Sequence, residues 1–118
     1  MSETGISLQL SYDQQALRET AHEFSRDVIR PAAAHHDQTG EYAWGVLTEA
    51  WEQGLMNLHI PEKHDGLGLG HVDGLLVAEE LAWGCSGIGT AMEANGLAQA
   101  PVMVSGNEFL IAKYLAPQ

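Results

Sequence analysis

Between Ser86 and Pro101 the chain reads Ser-Gly-Ile-Gly-Thr-Ala-Met-Glu-Ala-Asn-Gly-Leu-Ala-Gln-Ala-Pro. No other stretch narrows the possible folds as much. Ile88, Ala91, Met92 and Ala98 mark the apolar side of one buried helix, while Gly87, Gly89, Gly96 and the alanines leave room beside it. A glycine inside a helix costs about 0.5–1 kcal/mol relative to alanine. Several in one helix imply that something approaches the backbone closely, either a neighbouring helix or a ligand.

The remaining segments also read as helices. Ser11 stands three residues before Gln14, the spacing of a capping box. Leu17, Ala21, Phe24 and Val28 follow on one helical face. Pro31 is expected to end or kink this helix, alanines 32–34 to resume it, and Gly40 to stop it. Trp44–Gln53 predicts a second helix with Leu47, Ala50 and Trp51 inward and Gly54 at its end. A loop, 57–70, carries Asp65-Gly-Leu-Gly-Leu-Gly; a connection of that length is often functional. Val72–Trp83 predicts a third helix, with Val72, Leu75, Leu76, Glu79 and Trp83 on overlapping faces and Gly84 as its stop. Ser86 is expected to cap the glycine-rich helix, and Pro101 to kink it or begin a continuation to Ser105. Asn107 is expected to cap a last helix, Glu108–Leu115. No segment alternates with period two, so the expected class is all-α: a single domain, residues 1–118, of about five helices packed as antiparallel neighbours.

Composition excludes several roles. Apolar residues make up 45% of the 118, enough for one modest core. Sixteen acids against five bases give a net charge of −11, which disfavours nucleic acid and anionic membrane surfaces. No apolar run has spanning length, so no membrane insertion is expected. The start, Met-Ser-Glu-Thr-Gly, lacks a basic or apolar targeting segment. That points to the bacterial cytoplasm, or to the mitochondrial matrix for a processed protein. Cys85 is the only cysteine, so no internal disulfide forms.

Few side chains suggest chemistry. The glycine run after Asp65 lacks the preceding strand of a dinucleotide site; a loop with several positive-φ positions is the preferred reading. His35 and His36 diverge by about 100° on a helix, and His59, His64 and His71 lack a helical metal spacing, so no metal site is expected. Cys85 reads as a small buried residue. The adjacent Glu79 and Glu80 diverge, so paired acid–base work is not expected of them. Trp51 and Trp83 fall on core stripes; Trp44, at a helix start, is open to packing or to stacking. Glu93 has two readings: a carboxylate on a partly solvated face, or a polar group at the end of an apolar slot.

Several motifs occur in a telling order: Thr39-Gly-Glu-Tyr42, Gly54-Leu-Met-Asn57, His59-Ile-Pro-Glu62, Gly66-Leu-Gly-Leu-Gly70, Glu79-Glu-Leu-Ala-Trp-Gly-Cys85, Thr90-Ala-Met-Glu-Ala-Asn95 and Ala112-Lys-Tyr-Leu115. Together they resemble the N-terminal helical domain of acyl-CoA dehydrogenases, the medium-chain enzymes above all. The resemblance runs from about Leu8 to Leu115. It implies a complete enzyme with a β-sheet middle domain and a helical C-terminal domain. That enzyme is usually a homotetramer, with FAD bound between domains and subunits. It also implies a carboxylate that takes the α-proton of an acyl-CoA thioester while the β-hydride passes to the flavin. An electron-transferring flavoprotein then accepts the electrons. By motif match, Gly89, Glu93, Ala94 and Leu97 fall where the family lines the far end of its fatty-acyl slot, with Glu93 as a cap on the slot.

The sequence departs from the family pattern at Asp65, where glycine is common, and at His71, where threonine is usual. At Gly89 a larger polar residue is missing, which is expected to deepen the slot. Neither the catalytic carboxylate nor the middle-domain flavin segment occurs before Gln118. No catalytic residue is therefore assigned to this chain, no cofactor-binding residue is identified, and FAD is not expected to be retained by it alone. No turnover is expected from the isolated chain, and an apolar face is expected to lie uncovered where other domains would dock. Two alternatives are a non-catalytic helical interaction module, including a truncated partner subunit, and a stand-alone binder of fatty acyl groups.

Overall fold

The computed structural model describes residues 7–115. Residues 1–6, which hold the start read above for a targeting segment, and residues 116–118 lie outside the described part. Among the described residues there are helices and no strands: α1 (Tyr12–Phe24), α2 (Arg30–Thr39), α3 (Trp44–Glu52), α4 (His71–Gly84), α5 (Ser86–Ser105) and α6 (Glu108–Tyr114). A π turn, Ser25–Ile29, fuses α1 and α2 into one rod, so five rods make up the all-α domain.

Local chemistry explains most boundaries. Ser11 Oγ accepts from the Gln14 N–H at 3.1 Å and Gln14 Oε1 accepts from the Ser11 N–H at 3.0 Å, closing the box that starts α1. The π turn, closed by the Arg30 N–H on the Ser25 carbonyl, comes just before Pro31. Proline lacks an N–H and its ring crowds the carbonyl four residues back, so a wider turn lets the rod continue. α2 ends at Gly40 and α3 is followed by Gly54, both with positive φ. Asn107 Oδ1 accepts from the Phe109 and Leu110 N–H groups at the start of α6.

α4 and α5 meet at a single extended residue, Cys85, which is the N-cap of α5; Ser86 is already inside the helix. Such a tight corner needs α4 to come close to the π turn. A Cβ on Gly84 would sit 2.9 Å from Ile29 Cγ2 and 3.0 Å from Ser25 Oγ. Ser25 is fully buried and its hydroxyl donates to the Glu80 carbonyl at 2.6 Å. α5 then continues through Pro101 to Ser105.

Three expectations are corrected here. α1 and α4 run parallel, since Gln14 meets Asp73, His22 meets Glu80 and Ile29 meets Gly84 in the same order along both. The α2–α3 excursion and the loop after it return the chain to its starting end. The buried face of α4 is Gly74, Val77 and Leu81; Val72 and Leu75 face outward. Trp51 and Trp83 are likewise 55% and 46% exposed rather than core. Trp83 instead stacks on His22 at 4.5 Å, with the Arg30 guanidinium 4.4 Å above its ring.

The apolar side chains form two clusters. The larger joins α1, α3, α4 and the first half of α5 around Phe24, Ile29, Leu47, Val77, Leu81 and Met92. The smaller joins Ile60, Ile111 and Leu115, with Val102 and Met103 against them. The result is a slab of 54 × 39 × 19 Å with a radius of gyration of 15.7 Å. A compact domain of 100 residues has a radius of gyration near 13 Å. The extra spread leaves the outer half of α5 and α6 bare, with Leu97, Val104 and Phe109 all more than two-thirds exposed.

Candidate functional site

The loop after α3 is built to hold a shape. Asn57 and Asp65 both have positive φ, which asparagine and aspartate tolerate better than most residues. Its two limbs pair: the Leu69 N–H donates to the Leu58 carbonyl and the Gly68 N–H to the Ile60 carbonyl, both at 2.8 Å. Gly66 turns inward, where a Cβ would fall on the Ile60 carbonyl. The Gly66 N–H is also taken, by the Pro61 carbonyl at 3.2 Å. With these donors engaged inside the loop, the glycine run forms no phosphate cradle. His59 Nδ1 carries a proton for the Leu69 carbonyl at 2.9 Å, and its ring occupies the space that a side chain at Gly74 would need.

Against this loop the middle of α5 leaves a half-open groove of about 400 Å³. Leu55, Met56, Leu58 and His59 form one wall; residues 92–97, Gln99, Ala100 and Met103 of α5 form the other, with His71 at the rim. Volume and apolar lining are those of a small-ligand site. Gln99 is buried in it and donates from Nε2 to Asn57 Oδ1 at 2.8 Å, tying the two walls together. Glu93 is the one carboxylate among its lining residues.

Of the four residues singled out in the sequence, Glu93, Ala94 and Leu97 line this groove. Gly89 stands apart from it. It is buried against α4, and a Cβ there would meet the Ala82 nitrogen at 3.3 Å. Its missing side chain therefore serves helix packing within this chain. Gly96 is the glycine that leaves room, with nothing within 4 Å of a Cβ placed on it. Sequence reasoning missed Gln99, Asn57, Met56 and Met103 as groove residues. Asn57 and Gln99 are 42 positions apart, and no local pattern links them.

A second, shallower cavity of about 330 Å³ lies between the end of α2 and the start of α5, beside Tyr42 and Cys85. The loop is fastened to α6 by charge. Lys63 Nζ donates to Glu108 Oε1 at 3.1 Å, and that hydrogen bond, with the Lys63 charge, holds the Glu108 carboxyl below its ordinary range. His64 Nε2 is buried without a hydrogen bond; it lies 3.5 Å from Glu108 Oε2, within charge-contact distance but outside bonding geometry. Among the described residues no cluster of three or more His, Cys, Asp or Glu is placed to hold a metal ion, and no helix is long and apolar enough to cross a membrane.

The fold is an all-α slab with an apolar groove of small-ligand size along a glycine-bearing helix. The family model for the acyl-CoA dehydrogenase N-terminal domain matches residues 11–118, and the chain belongs to that family. It is 38% identical over 110 residues to the probable medium-chain specific acyl-CoA dehydrogenase 2, mitochondrial, of Caenorhabditis briggsae, covering 93% of this chain and 27% of that protein. It is 31% identical to the probable acyl-CoA dehydrogenase YngJ of Bacillus subtilis, covering 95% of this chain and 30% of the relative. Among solved structures, a chain from work on the electron transferring flavoprotein of Acidaminococcus fermentans superposes with a TM-score of 0.86 at 28% identity, covering 95% of this chain and 30% of that one. The chain thus spans less than a third of the length of these relatives.

Proposed function

We propose that this domain forms one wall of the fatty-acyl slot in a FAD-dependent acyl-CoA dehydrogenase acting on acyl-CoA thioesters. The observation that carries the reading is the groove between α5 and the loop after α3. It is apolar along most of its length, opens beside Gly96, and includes Glu93, Ala94 and Leu97. An alkyl tail laid along it is shielded from water on this side. Glu93 adds a carboxylate that a tail would bury only at a cost, so it bounds the apolar stretch.

FAD belongs to this proposal as a group held elsewhere. The Gly66, Gly68 and Leu69 N–H groups donate within the loop and the Gly70 N–H to Asp73, so these are not turned to a pyrophosphate. The partners proposed are acyl-CoA, the remaining dehydrogenase domains or subunits in a homotetramer, and an electron-transferring flavoprotein as acceptor. The bare outer half of α5 and α6 supports a covering layer. The same surface is what favours the second reading, a helical interaction module without chemistry.

Assembly separates the two. Joined to the middle and C-terminal domains of an acyl-CoA dehydrogenase, the chain is expected to give a yellow protein that oxidises acyl-CoA. A colourless, inactive assembly that nevertheless forms a stable complex would favour the module.

A further inference from the structure

We propose that the outer face of α3 is a docking surface for an arginine-bearing segment of another protein. Trp44, Thr48 and Trp51 stand at i, i+4 and i+7, one stripe along that helix, and all three are exposed. The opposite side, Val46, Leu47 and Ala50, is buried in the larger cluster. Trp44 is 71% exposed and Trp51 55%. Half-exposed Tyr42 extends the stripe, its ring centred 4.7 Å from that of Trp44 and tilted by 59°. Neither tryptophan lines the groove beside α5, so the acyl reading leaves this face unused.

Charge selects what fits there. Between Pro31 and Glu62 the chain has no lysine or arginine, but it has five carboxylates: Asp37, Glu41, Glu49, Glu52 and Glu62. Glu52 follows Thr48 by one turn and Glu49 follows Gly45 by one turn, so both border the stripe on the same side. Gly45, without a side chain, leaves the strip between rings and carboxylates open; a Cβ there would meet nothing within 4 Å. A guanidinium uses both features at once. Its flat face stacks on an indole while its N–H fork meets a carboxylate. The chain already makes the stacking contact elsewhere, with Arg30 4.4 Å above Trp83. Trp83 is thus served from within, whereas α3 itself carries no base. Trp44 and Trp51 are two turns apart, about 10 Å along the axis. That spacing gives two arginines of one segment a ring each.

The whole face belongs to this chain, so no other domain is needed to complete it. The test follows the indole N–H signals of the labelled 118-residue chain during titration with nona-arginine, and separately with nona-lysine. It is run at about 0.15 M ionic strength, where distant charges are screened. Trp44 and Trp51 are expected to shift with one shared dissociation constant while Trp83 keeps its position. Nona-lysine is expected to bind at least about threefold more weakly. W44L/W51L keeps apolar bulk and removes both π faces, and is expected to weaken nona-arginine binding by about fivefold or more. If circular dichroism shows that variant unfolded, E49Q/E52Q carries the test, with weakening in the same direction. Equal affinity for the two peptides, or unchanged affinity in a folded variant, overturns the proposal. So do shifts spread over Glu19 and Glu23 of α1 with both indoles unmoved, which would reflect only the net charge of −11. Movement of the two indoles on concentrating the chain alone would make a second copy the occupant. Loss of their acrylamide quenching on joining the middle and C-terminal domains would make those domains the occupant. Either result overturns the proposal as well.

Discussion

The Gln14 side chain donates from Nε2 to Asp73 Oδ1 at 3.0 Å, and this bond joins the capped starts of two parallel helices. Each partner also closes its own helix. Gln14 Oε1 takes the Ser11 N–H and Asp73 Oδ2 takes the Gly70 N–H at 3.1 Å. A single chain of four hydrogen-bonding groups thus sets the register of α1 against α4, and with it the platform on which α5 lies.

Removing either member should therefore cost more than an isolated cap. Asp73→Ala is expected to destabilise by about 1–2 kcal/mol, from a lost cap and a part-buried bond. Gln14→Ala is expected to cost a similar amount. The double variant is expected to fall short of the sum by at least about 0.5 kcal/mol, because the two share one bond. Urea midpoints with an unchanged slope check this; strict additivity contradicts the shared network.

Two glycines should respond in opposite directions. Gly84→Ala drives a methyl group into Ile29 and Ser25 where the π turn crosses α4. Overpacking of that kind costs about 1–3 kcal/mol. Gly96→Ala meets nothing within 4 Å and lies inside a helix, so it is expected to stabilise by about 0.5–1 kcal/mol. Thermal unfolding of both variants reads the contrast.

The tie between the loop and α6 should weaken in acid. Lys63 holds the folded-state pKa of Glu108 below its unfolded value. Its contribution is therefore complete above the unfolded carboxylate pKa and disappears as pH falls through the lower folded value. The protection factors of the α6 amides, taken against the intrinsic exchange rate at each pH, should fall over that acid range. Glu108→Gln should show lower protection factors at neutral pH and little further change on acidification. High salt should mimic part of the loss, since both side chains are exposed.

Capping boxes and helix-ending glycines were legible in the sequence because their chemistry lies within four residues. Ser11 with Gln14, Gly40, Gly54 and Asn107 all act where local spacing puts them. The buried face of α4 was not legible. Apolar residues run around most of that helix, so periodicity could not tell Val77 and Leu81 from Val72 and Leu75. Parallel pairing of α1 and α4 depends on where α2, α3 and the loop carry the chain, which no local pattern encodes. The glycines of α5 teach the same lesson: Gly89 and Gly96 look equivalent in the sequence, yet one meets α4 and the other faces open space. The groove became visible only once Asn57 was seen against Gln99.

The proposed assignment of the groove to an acyl tail is most directly tested by recording amide spectra of the isotopically labelled chain during titration with octanoyl-CoA, with free CoA as the control. Shifts confined to the groove, at Leu58, Glu93, Ala94, Gly96 and Leu97, and absent with free CoA, are the predicted result. Shifts gathered instead beside Tyr42 and Cys85, or identical shifts with free CoA, would contradict the assignment.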